Sequence, residues 1–217
     1  MKVELIDSMG TDLTVVNAAR VSFGKKKEKF EDGDAFLIRY LAKHNHWSPF
    51  GHCMLQFHIK APVFVARQLV KHQVGLVWNE ISRRYVDTEP EFYKVDKWRG
   101  KPVDKKQGSD GEIEQRGLCD WAKTKVEDSA LESYQSLLDA GVAPEQARMV
   151  LPQSLMTEWY WSGSLYAFAR VCNLRCADDA QYETRSIANE IDTQCKIKFP
   201  VSWKELRTWA EKSMQNT

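Results

Sequence analysis

The tightest constraint on the fold is the run from His52 to Lys60. Cys53, Leu55, Phe57 and Ile59 alternate with Gln56, His58 and Lys60. Successive side chains of a strand point to opposite faces, so this run predicts a strand with one buried and one polar face. Pro62 follows at once. Its fixed φ and missing N–H suit the first position of a helix, so the strand must feed a helix with almost no loop. A one-sided strand needs partners on both edges and a helical layer over its apolar face.

The rest of the chain supplies them. Val3 to Ile6 reads as a short strand. Thr11 or Asp12 caps a helix through about Arg20, and Asp34 caps another with Phe36, Leu37, Tyr40 and Leu41 on one face. Between them, Gly24 to Gly33 is a charge run expected to be a mobile surface loop. Asn79 to Tyr85 reads as a loop entering a strand, and residues 86–111 as a long loop or lid. Glu112 to about Leu138 is helical by period. Pro144 opens a helix that contains Arg148 and closes at Pro152. Leu155 to Trp161 reads as a strand, Ser162 or Ser164 caps a helix through Asn173, and a long helix runs to Lys198 before Pro200 starts the last one. The order predicts an α+β chain. At 217 residues it fits one domain, 1–217, without an internal repeat.

Composition excludes several classes. Lys+Arg 31 against Asp+Glu 30 leaves no basic excess for coating nucleic acid. No apolar run is long enough to cross a membrane, and no signal peptide is expected. Five scattered cysteines suggest free thiols in a reducing cytoplasm. His44, His46 and His52 crowd a short segment and invite a metal-dependent nuclease or hydrolase reading, but no Asp, Glu or Cys set stands at ligand spacing around them. Cys172 and Cys176 are one helical turn apart, and two thiols alone make no metal site, so no metal is expected.

The chemistry concentrates between Pro62 and Tyr85. Arg67 and Lys71 are four apart, as are Gln68 and His72, which places them on adjoining stripes of one helix. Gly75 breaks the pattern, and Asn79, Glu80, Ser82, Arg83 and Arg84 follow. A cationic helix leading into a polar, carboxylate-bearing loop suits an anionic small molecule.

This stretch resembles the signature of the flavin-dependent thymidylate synthases, the ThyX family. Their usual pattern is R-H-R, seven residues, then Ser, within N-E-x-S-x-R-Y. The chain keeps Asn79-Glu80-Ile81-Ser82-Arg83-Arg84-Tyr85 but has Lys71-His72-Gln73, and eight residues separate Gln73 from Ser82. The variant is similar to those of some virus-encoded members, which would place the protein in a host cytoplasm. The similarity extends to Ala19-Arg20-Val21-Ser22-Phe23, to His44-x-His46-x-Ser48-Pro49-Phe50-x-His52, to Ala147-Arg148-x-x-Leu151-Pro152 and to Asn173-Leu174-Arg175 with Ala180-Gln181-x-Glu183.

The resemblance implies a mostly antiparallel sheet flanked by helices, assembled as a homotetramer with shared active sites. It implies FAD as cofactor, with dUMP, NADPH and methylenetetrahydrofolate as substrates, and transfer of a one-carbon unit to uracil carbon 5. Ser22, His46, Ser48, Lys71, His72, Gln73, Asn79, Glu80, Ser164, Arg170 and Arg175 map to cofactor contacts. Gln68, Lys71, Glu80, Ser82, Arg83, Arg84, Arg148 and Arg175 map to substrate contacts. Arg175, Ser82 and His46 take the catalytic roles. Arginine forks suit a phosphate, and Ser82 reads as an orienting hydroxyl because no base stands beside it in sequence. The longer loop offers Trp78 as a substitute contact for the missing arginine charge at Gln73. The same signatures on a fold that had lost turnover would give a non-catalytic nucleotide-binding module.

Overall fold

The computed structural model describes residues 1–86, 88–103 and 108–214. Its centre is a four-stranded antiparallel sheet of β1 (Lys2–Met9), β2 (Met54–Pro62), β3 (Leu76–Glu80) and β6 (Met156–Ser164), in the order β1-β2-β6-β3. β2 lies where the alternation puts it, and it pairs along its whole length with β6, from Met54–Ser164 to Pro62–Met156. Leu55, Phe57 and Ile59 with Trp159 and Trp161 form the inner face. The outer face carries Gln56, His58 and Lys60; Gln56 donates to Ser162 Oγ at 3.0 Å and His58 stacks on Tyr160.

Helices cover the inner face: α1 (Asp12–Arg20), α2 (Asp32–Lys43), α3 (Val63–Leu69), α6 (Leu165–Arg175), α7 (Tyr182–Lys198) and α8 (Pro200–Met214). Phe168 packs edge-on against both Phe57 and Trp161, and Ile187, Ile191, Phe199 and Trp203 complete the core. α4 (Arg116–Asp139) and α5 (Pro144–Ala147) lead back to β6. The architecture is the mixed helix and antiparallel sheet expected.

Local readings needed correction. The helix after Pro62 is short: α3 ends at Leu69, with Val70 as its C-cap, so Lys71 and His72 do not share a helical face with Arg67 and Gln68. Gly75 adopts φ +75, and Asn79 and Glu80 end a strand that the Ser82 loop follows, rather than opening a loop that enters one. α2 starts at Asp32 with Glu31 as N-cap, and it buries Asp34, Ile38 and Leu41 while Phe36 and Tyr40 face outward. The charge run before α2 is pinned at Lys27, whose backbone N–H and C=O are both held by the Asn17 side chain. Burial would raise the Asp34 pKa; hydrogen bonds from Lys27, the Glu31 N–H and Arg20 outweigh it and hold the carboxyl below its usual range. The 86–111 segment contains β4 (Arg99–Gly100), which pairs with β5 (Asp110–Glu112), and Phe92 bridges to Leu155. Residues 87 and 104–107 of the expected lid lie outside the described residues.

Candidate active site

α3 separates two clefts. The larger, about 440 Å³, lies beside Val63 and Arg67 at the end of the sheet, where β3 ends and β6 begins. Arg67, Arg83 and Arg148 converge on it with Glu80, and residues 151–158 form its far wall. Arg83 is braced by the carbonyl of Thr88 at 2.6 Å, and Arg148 Nε donates to the carbonyl of Glu145 at 3.2 Å. Three guanidiniums around one cavity favour an anion with several acceptor oxygens. Arg67 is the member that motif reading left out. The cationic helix points to it without a role, and its position on α3 sets it in the same cavity as Arg148.

Glu80 is held at both carboxylate oxygens. Thr157 Oγ1 donates to one at 2.7 Å and Trp78 Nε1 to the other at 3.1 Å. Trp78 is itself fixed by stacking on Trp159, with centroids 4.3 Å apart. The expected cofactor contact by Trp78 is therefore not what the fold provides: the ring packs inward and orients Glu80.

The second cleft, about 110 Å³, opens at the other end of α3. Lys71, His72, Gln73 and Val74 face Ala167, Arg170, Val171 and Leu174 of α6 across it. Arg175, the last residue of α6, donates its Nε–H to His72 Nε2 at 2.9 Å. That bond requires a neutral imidazole with Nε2 as acceptor. Burial first, then the charges of Arg175 and Arg170, lower the His72 pKa and secure that state. Lys71 and Arg170 make this a second cationic cleft, and Arg175 is bonded to the neutral His72 ring in its wall.

Close backbone approach shapes this region. Gly163 of β6 lies under the turn before β3: a Cβ there would sit 2.4 Å from Leu76 Cδ2 and 2.6 Å from the Gly75 carbonyl oxygen. Ser164 accepts the Ala167 N–H at 3.2 Å and so caps α6, the helix that carries Arg170 and Arg175.

Other expected site residues are distributed. Ser82 accepts from the Arg84 N–H and Nε, both at 3.3 Å, and among the described residues no base accepts from it. The Arg84 guanidinium lies over the Tyr85 ring. Asn79 pairs with Tyr160 across β3 and β6. Gln68 keeps a buried side-chain oxygen without a partner. Ser22 is exposed in the short 3-10 turn Val21–Phe23, and Ser48 opens another, Ser48–His52. His46 is exposed beside Tyr40, with ring centroids 5.8 Å apart. Among the described residues, His44, His46 and His52 belong to no group of three donors at metal-ligand separation. One chain thus brings Lys71, His72, Gln73, Arg170 and Arg175 together, and brings Glu80, Arg83 and Arg148 together. The two clefts share no lining residue.

The fold is an antiparallel sheet under a helical layer, with basic side chains gathered at two clefts. Residues 4–201 match the family model described as thymidylate synthase complementing protein. A flavin-dependent thymidylate synthase of Thermus thermophilus is 43% identical over 202 residues, 93% of this chain and 73% of that protein. That of Thermosipho africanus is 40% identical over 212 residues, 96% of this chain and 91% of that protein. Among solved structures, the UMP/dUMP methylase PolB from Streptomyces cacaoi, bound with 5-Br dUMP, is similar at a TM-score of 0.86 and 33% identity, covering 96% of this chain and 95% of that one. The chain belongs to the family of the thymidylate synthase complementing proteins, the flavin-dependent thymidylate synthases.

Proposed function

We propose that the protein methylates uracil carbon 5 of dUMP to give dTMP, with FAD as its flavin, methylenetetrahydrofolate as carbon donor and NADPH as hydride source. The carrying observation is the pairing of a neutral His72 with Arg175 in a cleft flanked by Lys71 and Arg170. A planar, anionic cofactor needs a flat, uncharged edge next to cations for its phosphates, and this cleft offers both. When bound, the flavin supplies the redox and one-carbon chemistry. The chain's residues bind and orient.

In this reading Arg67, Arg83 and Arg148 take the nucleotide phosphate as planar forks. Glu80, immobilised by Thr157 and Trp78, accepts from ribose or base donors. Ser82 orients rather than attacks, since Arg84 donates to it and no base among the described residues accepts its proton. No thiol is needed as a nucleophile: burial pushes Cys53 up to about 12, too high to supply a thiolate.

The separation of the clefts supports sites shared between copies of the chain, in a homotetramer where one protomer's Lys71–Arg175 cleft faces another's Glu80–Arg148 cavity. Exposed apolar side chains on the outer sheet face, Val77 and Tyr160 among them, are available for such contacts. The test is conversion of dUMP by the purified protein with FAD, methylenetetrahydrofolate and NADPH, followed by omission of each. Turnover that ignores the flavin refutes the assignment.

A further inference from the structure

The folded chain assembles three potential metal ligands away from both clefts. Cys172, on the last turn of α6, and Cys176, its C-cap, lie four apart, so their side chains share one helical face. α7 packs against that face and delivers Asp192. The two sulfurs and a carboxylate oxygen of Asp192 all lie within 4.8 Å of one another.

We propose that Cys172, Cys176 and Asp192 form a three-ligand zinc site, with water in the fourth position, that ties the end of α6 to α7. Zinc prefers thiolate sulfur at about 2.3 Å and carboxylate oxygen at about 2.0–2.2 Å in a tetrahedron, which sets donor atoms roughly 3.5–3.8 Å apart. Closing the present triangle to that size takes small side-chain rotations. The support of Asp192 is that of a metal-ligating carboxylate: Trp203 Nε1 donates to Oδ1 at 3.1 Å and Arg207 Nε to the same oxygen at 2.8 Å. Oδ2 makes neither of these two bonds.

Charge balances. Two thiolates and a carboxylate carry three negative charges, and one zinc ion with Arg207 carries three positive ones. Zinc takes the place of the two thiol protons, which leave to solvent. Cys172 is fully buried and its thiol reaches the Ala188 carbonyl at 3.6 Å. Cys176 and Asp192 are half-buried, which gives the ion an entry path and a water for the fourth position. Cys176 follows Arg175 directly, so the ion would fix the turn that presents Arg175 to His72. The site does not depend on which reaction the protein performs.

The test uses tag-free, reduced protein incubated with zinc chloride, passed through gel filtration and analysed for metal, with magnesium chloride as control. The unsubstituted chain should retain about one zinc per chain and no magnesium, as should Cys119→Ser. Cys176→Ser and Asp192→Asn should retain only background. Absence of zinc in the unsubstituted chain, or equal zinc in those two variants, overturns the site. Should Asp192→Asn fail to fold, alkylation decides with the unsubstituted protein. Zinc should slow iodoacetamide labelling of Cys176 at least about tenfold, since a coordinated thiolate is a poor nucleophile. An unchanged rate overturns the proposal.

Discussion

Arg175 Nε donates to His72 Nε2 at 2.9 Å, joining the end of α6 to the turn after α3. Because Nε2 is already an acceptor, protonating His72 breaks this bond and places a third cation between Arg175 and Arg170. The folded pKa is therefore below the ordinary 6.5. The unfolded chain binds the proton more readily, so in the window from about 6.5 downward to the folded pKa the unfolded state holds more protons. Stability from this contact is present above 6.5 and is lost as pH falls through that window. Thermal unfolding followed from pH 7.5 to 5.5 should show a fall in Tm that is smaller in His72→Gln. Equal slopes would detach His72 from the effect.

Glu80 gives a second prediction. Thr157→Val removes the donor to one oxygen at nearly constant volume. A hydrogen bond to a charged group contributes about 1.5–3 kcal/mol, so kcat/KM for dUMP should drop roughly 10- to 100-fold. Thr157→Ser keeps the hydroxyl and should recover most of it. Trp78→Phe preserves stacking on Trp159 but loses the N–H, and should fall between the two. Steady-state kinetics on the three variants checks the order.

Gly163 is the packing test. A methyl group there meets backbone and side chain of the β3 turn far inside contact distance. Gly163→Ala should cost about 1–3 kcal/mol by overpacking and widen the β3–β6 pairing. Differential scanning calorimetry measures the loss. A Tm within a degree of the parent would mean that the turn moves freely.

Sharing of sites between protomers is tested by complementation. Arg148→Ala empties the larger cleft and Arg175→Ala the smaller, and each should abolish turnover alone. Co-expression of the two should restore part of the activity, because some mixed sites then carry both arginines. Co-expressed variants as inactive as either alone would place each site within a single chain.

Much of this was legible in the residues. The alternation at 53–59 found β2 because one face is buried along its whole length. β3 escaped because only Leu76 and Trp78 of its residues turn inward, and its position depends on pairing with β6, about eighty residues away. α3 was drawn too long because Lys71, His72 and Gln73 have adequate helical propensity. The chain leaves the helix instead because Gly75 turns it back toward Gly163, a contact no local pattern encodes. Phe36 and Tyr40 seemed a core face only because periodicity reports an apolar stripe without saying what covers it. For the site, the motif found Glu80, Arg83, His72 and Arg175. It could not show that they lie in separate clefts, that Arg67 joins Arg148, or that Trp78 serves Glu80.

The central claim is that these residues methylate carbon 5 of dUMP with a flavin. That reaction replaces the hydrogen at carbon 5, so dUMP carrying tritium there must lose it to water as dTMP forms. Purified protein with FAD, NADPH and methylenetetrahydrofolate should release tritium and form dTMP in equal amounts, and should do neither when FAD is stripped and not restored. A protein that binds FAD and dUMP yet releases no tritium under these conditions would contradict the account.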